Sequence, residues 1–343
     1  MKLHALSRLA VVSALLAAAG LVSADEKPQK LTIATWNLEW FFDQYTGDNS
    51  AELAKKQSAP TREDWDWKLA GVAKVISEIK PDILALQEVE NRRVLFYLNQ
   101  KLKSDHGLNY RIAFVEGEDF FTQQNVAIMA LSGLTGYGRK ERTKEQIEEN
   151  KPAKDKKFYP LNKHIVADFE WGTGGEKENL TIINLHTRAM SNGAEIRKRQ
   201  ARLTREWMKE HIAAGQNFII LGDLNSDELA DATTKDGDMG IFLGLDTPSP
   251  EDDLFDTHLK LSGEVKASHL NNMQYDRILC TDALMKDDPN RSDLVFKSSV
   301  IRRDLVIRGR EQDKDHMDIF WQIPQDERDI SDHYPLVAEF EAK

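Results

Sequence analysis

The chain has 343 residues, with 46 Lys and Arg against 57 Asp and Glu, which gives a net charge of −11. Hydrophobic residues make up 41% and charged residues 30%, as in folded globular proteins rather than disordered or membrane ones. The one cysteine, Cys280, excludes an internal disulfide framework and a cysteine-based zinc site. The acidity excludes a protein that holds nucleic acid by bulk positive charge alone, but it allows an enzyme that binds phosphate at one local site.

Residues 1–24 have the pattern of a secretory signal peptide. Lys2 and Arg8 supply a positive start, the stretch 9–22 is almost entirely apolar, and small residues precede the charged sequence that starts at Asp25. This apolar stretch is about 14 residues long, whereas a membrane span takes roughly 20. We therefore expect cleavage of this segment and an exported protein, located in the periplasm or outside the cell.

The rest of the chain alternates between apolar strand patterns and amphipathic helix patterns. Strands are predicted at 31–38, 83–86, 110–115, 126–131, 165–169, 180–185, 218–221, 275–280 and 335–340. Helices are predicted from a capping pattern at Thr61 to Pro81, at 94–102 and at 196–211. Charged or loop-rich insertions are expected near 43–66, 134–160, 227–270 and 283–329. Because no repeat or Pro/Gly/Ser-rich linker divides the sequence, residues 25–343 are expected to form a single α/β domain with mixed sheets.

Polar residues stand where five of the predicted strands leave the core. They are Asn37 with Glu39, Gln87 with Glu88, His186, Asp223 with Asn225, and the pair Asp332-His333 before the last strand. Any one of them alone would most often be a turn or capping residue. Side chains from several strand ends converge at the ligand sites of α/β sheets, so five such ends in one chain indicate a functional site.

The residue types of this set point to phosphate chemistry. The oxygen donors are Asn37, Glu88, Asp223, Asn225 and Asp332. Oxygen-only donor sets suit hard divalent ions such as Mg²⁺, Mn²⁺ or Ca²⁺. The two histidines, with no cysteine nearby, fit acid–base or phosphate-binding roles better than a zinc site. Carboxylates, imidazoles and a divalent ion together suit the hydrolysis of a phosphate ester.

Asp276 lies within a predicted strand and needs a partner if it is buried. His333 is one candidate, because an Asp–His pair fixes the imidazole tautomer and raises its basicity. The alternative is an ion pair with a neighbouring arginine. Arg188, close to His186, is a candidate for a phosphate contact. The predicted helix at 196–211 has a basic face that is either a solvated surface or a grip for a nucleic-acid backbone; its residues are Arg197, Lys198, Arg199, Arg202 and Arg205.

The order of the motifs resembles that of one superfamily. TWNLEW, LALQEVEN, NLHTRA, GDLNSD, YDRIL and SDHYPL follow one another between residues 31 and 340. The series resembles the endonuclease/exonuclease/phosphatase superfamily, the DNase I-like group that includes abasic-site endonucleases, inositol polyphosphate phosphatases and neutral sphingomyelinases. The resemblance implies an α/β four-layer sandwich of two packed mixed β-sheets flanked by helices.

The resemblance also implies roles for individual residues. Asn37, Glu88 and Asp332 resemble the residues of the family's metal site. His186 resembles the histidine that contacts the scissile phosphate, and Asp223 with Asn225 resembles the pair that positions the nucleophile and the phosphate. Asp276 and His333 resemble the Asp–His pair that contains the catalytic histidine. Either His333, backed by Asp276, or Asp223 is expected to act as the general base.

Two features depart from the family pattern. Many members have an arginine or tyrosine phosphate contact before the NVAI strand, where this chain has Gln123, Gln124 and Asn125. The carboxylate that would orient His186 is also not placed by the sequence, and the candidates are Glu116, Glu118 and Asp119.

We expect an exported phosphodiesterase that uses Mg²⁺, with Mn²⁺ or Ca²⁺ as alternatives, and that acts as a monomer and transiently on DNA or RNA. The alternatives within this fold are a sphingomyelinase-like phospholipid phosphodiesterase and a phosphomonoesterase, for example one acting on inositol phosphates. An inactive binding module is the alternative of a different class. A lipid enzyme would carry exposed aromatic side chains at its loop tips. The candidates are Trp65, Trp67, Phe120 and Phe121, but we expect these side chains to pack in the core.

Overall fold

The computed structural model describes residues 25–141, 161–173, 177–289 and 293–343. The predicted signal peptide and most of the charged segment at 138–157 therefore lie outside the described residues. None of the helices in the described part of the chain combines the length and the hydrophobicity needed to cross a bilayer.

Two six-stranded sheets form the centre of the fold. The strands are, in chain order, β1 (Lys30–Phe41), β2 (Ile83–Val89), β3 (Arg111–Phe114), β4 (Asn125–Ala130), β5 (Leu134–Gly138), β6 (His164–Trp171), β7 (Glu178–His186), β8 (Phe218–Asp223), β9 (Phe255–Asp256), β10 (Asp276–Cys280), β11 (Leu294–Ile301) and β12 (Leu336–Ala342). The first sheet has the order β11-β12-β1-β2-β4-β3 and the second the order β5-β6-β7-β8-β10-β9. Among the described strands, the pairs β1–β2 and β7–β8 are parallel and the other pairs are antiparallel, so both sheets are mixed.

The α-helices of the described residues are α1 (Glu52–Gln57), α2 (Arg62–Ile79), α3 (Arg92–His106), α4 (Ala194–Ala213), α5 (Asp238–Leu243) and α6 (Asp313–Asp318). Of these, α2 and α3 pack beside the first sheet, and α4 and α5 pack beside the second. One apolar core joins α2, α3 and the facing sides of the two sheets, and a second lies between the second sheet and α4 with α5. The expected four-layer α/β sandwich is thereby confirmed.

Helix α2 shows how the sequence pattern produces one of these layers. The hydroxyl of Thr61 accepts a hydrogen bond from the backbone N–H of Asp64 at 3.1 Å, which is the predicted N-cap. Val72, Ala73 and Ile76 recur at helical spacing and are buried against the first sheet. Full burial of an aliphatic side chain such as Ile76 contributes about 1.5–3 kcal/mol.

Three of the predicted insertions contain strands: the two-residue strand β9 lies in the insertion at 227–270, and two longer strands lie in those at 134–160 and 283–329. Residues 134–138 form β5 and residues 294–301 form β11, each at the edge of a sheet, so the insertions predicted at 134–160 and 283–329 are too wide. Both strands are partly exposed; β5 contains two glycines, and polar residues at 297–299 interrupt the apolar residues of β11. Edge strands of this composition lack the continuous apolar run of a central strand.

The aromatic candidates for a membrane contact divide into two groups. Trp65 is buried and Trp67 packs against the same core, as expected. Phe120 and Phe121 are 84% and 72% exposed, so the expectation of core packing is wrong for them. They lie on the loop between β3 and β4, where no apolar neighbour covers them among the core residues described.

Buried amides join the two sheets close to the strand ends. Nδ2 of Asn184 on β7 donates to the carbonyl oxygens of Leu86 and Ala127, at 3.0 and 2.9 Å, in the first sheet. Nε2 of Gln87 on β2 donates in turn to Oδ1 of Asn184 at 2.7 Å. These bonds fix β7 against β2 and β4 beside the residues described next.

Candidate active site

Three of the predicted site residues lie side by side across the second sheet. The strand register pairs His186 on β7 with Asp223 on β8, and Asp223 with Asp276 on β10. Gly222, directly before Asp223, has a φ of +126°, and a Cβ atom there would clash with the carbonyl oxygen of Leu185. Glycine is therefore required for β8 to approach β7 at this point.

The first sheet contributes Glu88 at the end of β2. A register shift between β1 and β2 follows Asn37, and Glu88 has a φ of +58°. A non-glycine residue in this left-handed region costs about 1–3 kcal/mol and is typical of functional sites. The distortion places Glu88 Oε1 3.2 Å from Nδ2 of Asn37 and 4.0 Å from Nε2 of His186, while Oε2 accepts the N–H of Trp40 at 2.9 Å.

His333 is paired with Asp276. Nδ1 of His333 lies 2.8 Å from Oδ2 of Asp276, and its Nε2 lies 3.8 Å from Oδ2 of Asp223. The alternative arginine partner is used elsewhere, since Arg277 bonds to Asp256. Burial disfavours the charged ring, but the carboxylates of Asp276 and Asp223 hold the pKa of His333 well above its ordinary value.

His186 is shifted in the opposite direction. Its Nε2 lies 3.4 Å from Oδ2 of Asp223, but burial and the positive charge of Lys163 hold its pKa well below the ordinary value. The ring is therefore neutral at neutral pH. Its Nδ1 is buried and has no hydrogen-bond partner among the described residues, so none of the three candidate carboxylates on the loop at 116–119 orients it.

Lys163 is a site residue that the sequence did not reveal. Its Nζ is held by Oε1 of Gln124 at 2.7 Å and by Oδ2 of Asp119 at 3.0 Å, and its carbonyl accepts the N–H of His186 at 3.0 Å. Its charge acts on both Glu88 and His186. Lys163 directly precedes β6 and comes next to His186 because β6 pairs with β7. The sequence alone does not give the register of this pairing, so it does not identify Lys163 as a site residue.

His269 is a second residue that the sequence did not reveal. Its Nε2 lies 3.4 Å from Oδ2 of Asp332, and its ring centroid lies 4.4 Å from that of His333. His269 and His333 also form a backbone bridge. The residue falls in the loop-rich stretch predicted at 227–270, which has no strand pattern to mark it.

The remaining predicted residues are placed less directly for their expected roles. Nδ2 of Asn37 donates to Oδ2 of Asp223 at 2.9 Å, while its Oδ1 accepts the N–H of Glu39 at 2.9 Å. In this orientation Asn37 positions carboxylates, and a metal-ligand role would require its oxygen to leave Glu39. Asn225 is buried beside Asp223, whose Oδ1 accepts its N–H at 3.0 Å. Arg188 is exposed on the loop after β7.

The carboxylates at the mouth of the site fit a hard cation. Burial and the charge of Asp332 raise the pKa of Glu88 to about 7. Oδ1 of Asp332 is buried and has no hydrogen-bond partner among the described residues. A divalent ion would satisfy that oxygen and remove the repulsion between the two acids, which is the usual purpose of such a donor set.

The basic face of α4 is largely a structural feature. Arg197 is buried and its guanidinium bonds to Asp238 and, at 3.0 Å, to Asp227. Arg205 binds Oδ2 of Asp252 at 2.7 Å. The expectation of a uniform solvated or DNA-gripping face is therefore wrong for these two arginines, because acidic residues of the following segment occupy them.

Solved structures with this fold include three that cover nearly the whole chain. The human Nocturnin catalytic domain with bound sulfate anion is 15% identical, with a TM-score of 0.55 and coverage of 93% of this chain and 96% of that chain. D. rerio TDP2 complexed with single strand DNA product is 16% identical, with a TM-score of 0.52 and coverage of 92% and 100%. An endonuclease/exonuclease/phosphatase family protein from Bacteroides thetaiotaomicron is 16% identical, with a TM-score of 0.52 and coverage of 92% and 98%. At these identities the similarity shows a shared fold.

No curated protein sequence matches the chain. The profile of the Endonuclease/Exonuclease/phosphatase family matches residues 34–333, a span that contains every site residue described above. Members of that family are hydrolases that act on phosphate esters, and they generally use divalent metal ions. With the profile covering most of the chain and two mixed sheets of the DNase I-like type, this protein belongs to the Endonuclease/Exonuclease/phosphatase family.

Proposed function

We propose that this protein is an exported, Mg²⁺-dependent phosphodiesterase that cleaves DNA or RNA. The observation that carries the phosphodiesterase assignment is the position of Asp223 between two imidazoles whose pKa values are shifted in opposite directions. Its Oδ2 lies 3.4 Å from Nε2 of neutral His186 and 3.8 Å from Nε2 of His333, whose pKa is raised. Pairs of titratable groups whose pKa values are pushed apart are the usual mark of acid–base catalysis.

Glu88 and Asp332 would hold the Mg²⁺ ion, with Asn37 positioning Glu88. When bound, the ion supplies positive charge that offsets the charge of the phosphoryl and leaving oxygens. Asn225 and neutral His186 would donate hydrogen bonds to non-bridging phosphate oxygens. Donors already in place in a buried site contribute strongly to such reactions.

The charge states favour one assignment of the two proton-transfer roles. Burial raises the pKa of Asp223, which makes its carboxylate a better proton acceptor for the attacking water. The Asp276–His333 pair keeps a proton on the His333 ring, which suits Nε2 to donate it to the leaving oxygen. Of the two general bases expected from the sequence, the structure thus favours Asp223.

The nucleic-acid part of the proposal is supported by chemistry at the rim and by a structural relative. Arg188 and Arg202 are exposed, on the loop after His186 and on α4, and are available to phosphates of a polyanion. D. rerio TDP2, which shares the fold, has been solved with a single strand DNA product. Export is proposed from the pattern of residues 1–24.

A phospholipid phosphodiesterase is the second candidate, and the exposed Phe120–Phe121 pair favours it. The loop that carries this pair also carries Asp119, which binds Lys163 at the site. Exposed aromatic side chains next to a phosphodiesterase site are suited to a bilayer surface.

One set of assays separates these functions. The mature chain, residues 25–343, is incubated with plasmid DNA, RNA, sphingomyelin vesicles and inositol phosphates, with Mg²⁺ or with EDTA. We expect Mg²⁺-dependent cleavage of a nucleic acid. H186A should lose it, E88Q should lose it at a Mg²⁺ concentration that suffices for the wild type, and the exposed-site variant E78Q should keep it. Cleavage of vesicles alone would replace the nuclease assignment by the lipid one. Turnover of none of the four substrates would favour a binding module, and full activity in EDTA would remove the metal from the mechanism.

A further inference from the structure

A second group of metal-ligating side chains lies outside the active site. Glu311, His316 and Asp329 each offer a ligand atom, and these atoms lie within 4.8 Å of one another. Oε2 of Glu311, Nε2 of His316 and Oδ2 of Asp329 are buried and have no hydrogen-bond partner among the described residues. We propose that these three residues bind a divalent transition-metal ion of the Zn²⁺ type.

Each of the three side chains is held in place by its other polar atom. Nδ1 of His316 lies 2.8 Å from both carboxylate oxygens of Glu39, so Nδ1 is the donor and a metal ion would take the place of the proton on Nε2. Oδ1 of Asp329 accepts the backbone N–H of Gly309 at 2.8 Å, and Oε1 of Glu311 accepts the N–H of Asp329 at 3.0 Å. Hydrogen bonds of this kind orient the ligands of known metal sites, and a carboxylate behind a metal-binding histidine is the commonest of them.

Burial makes an unoccupied cluster unfavourable. His316 and Asp329 are 3% and 1% exposed, and buried polar atoms are almost always satisfied. The ion pair between these two residues accounts for only part of the cluster, because it is long, with Nε2 and Oδ2 3.6 Å apart, and it leaves Oε2 of Glu311 without a hydrogen-bond partner among the described residues. Gly309 keeps space free beside Glu311, since a Cβ atom there would clash with Oε2.

The donor set selects the class of metal. One imidazole with two carboxylates suits Zn²⁺ and similar transition-metal ions, whereas Mg²⁺ and Ca²⁺ favour oxygen ligands alone. None of the three residues belongs to the proposed active site. Glu39 connects the two regions, because its Oε2 also accepts the backbone N–H of Asp332 at 3.0 Å. An ion at His316 would therefore help to fix the backbone that carries Asp332.

Zn²⁺ binding at the active site is removed first. The triple variant E88Q/H269A/D332N of the mature chain removes three donors of the active site and serves as the background. Calorimetric titration of this background with Zn²⁺ should show one ion per chain, and Tm should rise by about 5 °C at saturation. Adding E311Q should weaken the affinity at least 100-fold, whereas adding D318N, an exposed change at the end of α6, should leave it unchanged.

A second substitution keeps the test decisive. D329N retains the Oδ1 acceptor for the backbone of Gly309 and should also abolish stoichiometric binding, with folding checked by circular dichroism. If D329N does not fold, E311Q decides, because Glu311 is only half-buried. Absence of Zn²⁺ binding by the background below about 100 μM, or unchanged binding by folded E311Q, would overturn the proposal.

Discussion

Nδ1 of His333 lies 2.8 Å from Oδ2 of Asp276, and both side chains are buried. This contact fixes the tautomer of His333 and aims its Nε2 atom toward Asp223. We expect D276N to lower kcat by about 10²–10⁴-fold with little change in the fold, because the amide removes the charge that holds the proton on His333.

The same variant provides a readout that a general loss of structure would not give. The pKa of His333, measured by NMR titration, should fall, since the Asp276 carboxylate is its largest favourable partner. The control is D282N, which changes an exposed aspartate just beyond β10. An unchanged kcat and an unchanged His333 pKa in D276N would contradict this role.

Lys163 is predicted to keep His186 neutral. Its positive charge lowers the pKa of His186, so K163M should raise that pKa. Because the proposed role of His186 requires the neutral ring, the acid limb of the pH profile of kcat/KM should move to higher pH in K163M. The exposed-site variant K177M should show the wild-type profile. If the acid limb of the K163M profile stays in place, the charge of Lys163 does not control the pKa of His186.

Glu88 and Asp332 are predicted to be the residues that hold Mg²⁺. We expect EDTA to stop turnover, and E88Q and D332N to raise the Mg²⁺ concentration needed for half-maximal activity by at least about 10-fold, since each change removes an anionic ligand. E78Q, on the exposed side of α2, should need no more Mg²⁺ than the wild type. The Mg²⁺ dependence of initial rates checks this prediction, and a wild-type dependence in both ligand variants would refute it.

Arg197 is predicted to act in stability rather than in substrate binding. R197M leaves the buried carboxylate of Asp238 without its partner and should lower the free energy of unfolding by about 3–5 kcal/mol. R202M, on the exposed side of the same helix, should change it by less than about 0.5 kcal/mol. Urea unfolding measures both values. Equal effects of R197M and R202M would show that the Arg197–Asp238 pair does not contribute specially to the free energy of unfolding.

His258 is predicted to destabilise the fold in acid. Burial lowers the pKa of His258 to about 3 from an ordinary value of 6.5. The unfolded chain therefore binds this proton more readily than the folded one. The contribution of neutral His258 to the free energy of unfolding, up to about 5 kcal/mol, is present above pH 6.5 and is lost as the pH falls toward 3. H258L should flatten this part of the curve of unfolding free energy against pH. A curve of the same slope in H258L would assign the acid sensitivity to other groups.

The sequence predicts the central strands and helices well because their signals are local. Helix α2 has both a cap and an apolar face within one short stretch, and strands such as 218–221 are continuously apolar. The edge strands β5 and β11 are stabilised by pairing with a neighbour, so their own residues carry little signal. Several further elements, such as α6, are too short for a periodic pattern.

The candidate site divides in the same way. Residues at the ends of apolar strands, such as His186 and Asp223, are visible because a polar group after an apolar run stands out. Lys163 and His269 reach the site through strand pairing and through a long loop, which depend on contacts distant in sequence. The orientation of the Asn37 amide likewise depends on Asp223, a contact between distant parts of the chain that the motif around Asn37 does not imply.

The buried amides of Asn184 and Gln87 have a consequence for how the enzyme is aligned. Glu88 stands on the first sheet and His186 with Asp223 on the second, and purely apolar faces would slide past one another at little cost. The three amide hydrogen bonds between the sheets permit only one lateral position. A displacement of about 1 Å in a reacting group can reduce a rate 100-fold. These amides therefore fix the alignment of the two sheets, and their loss would lower the turnover rate before it lowered the melting temperature.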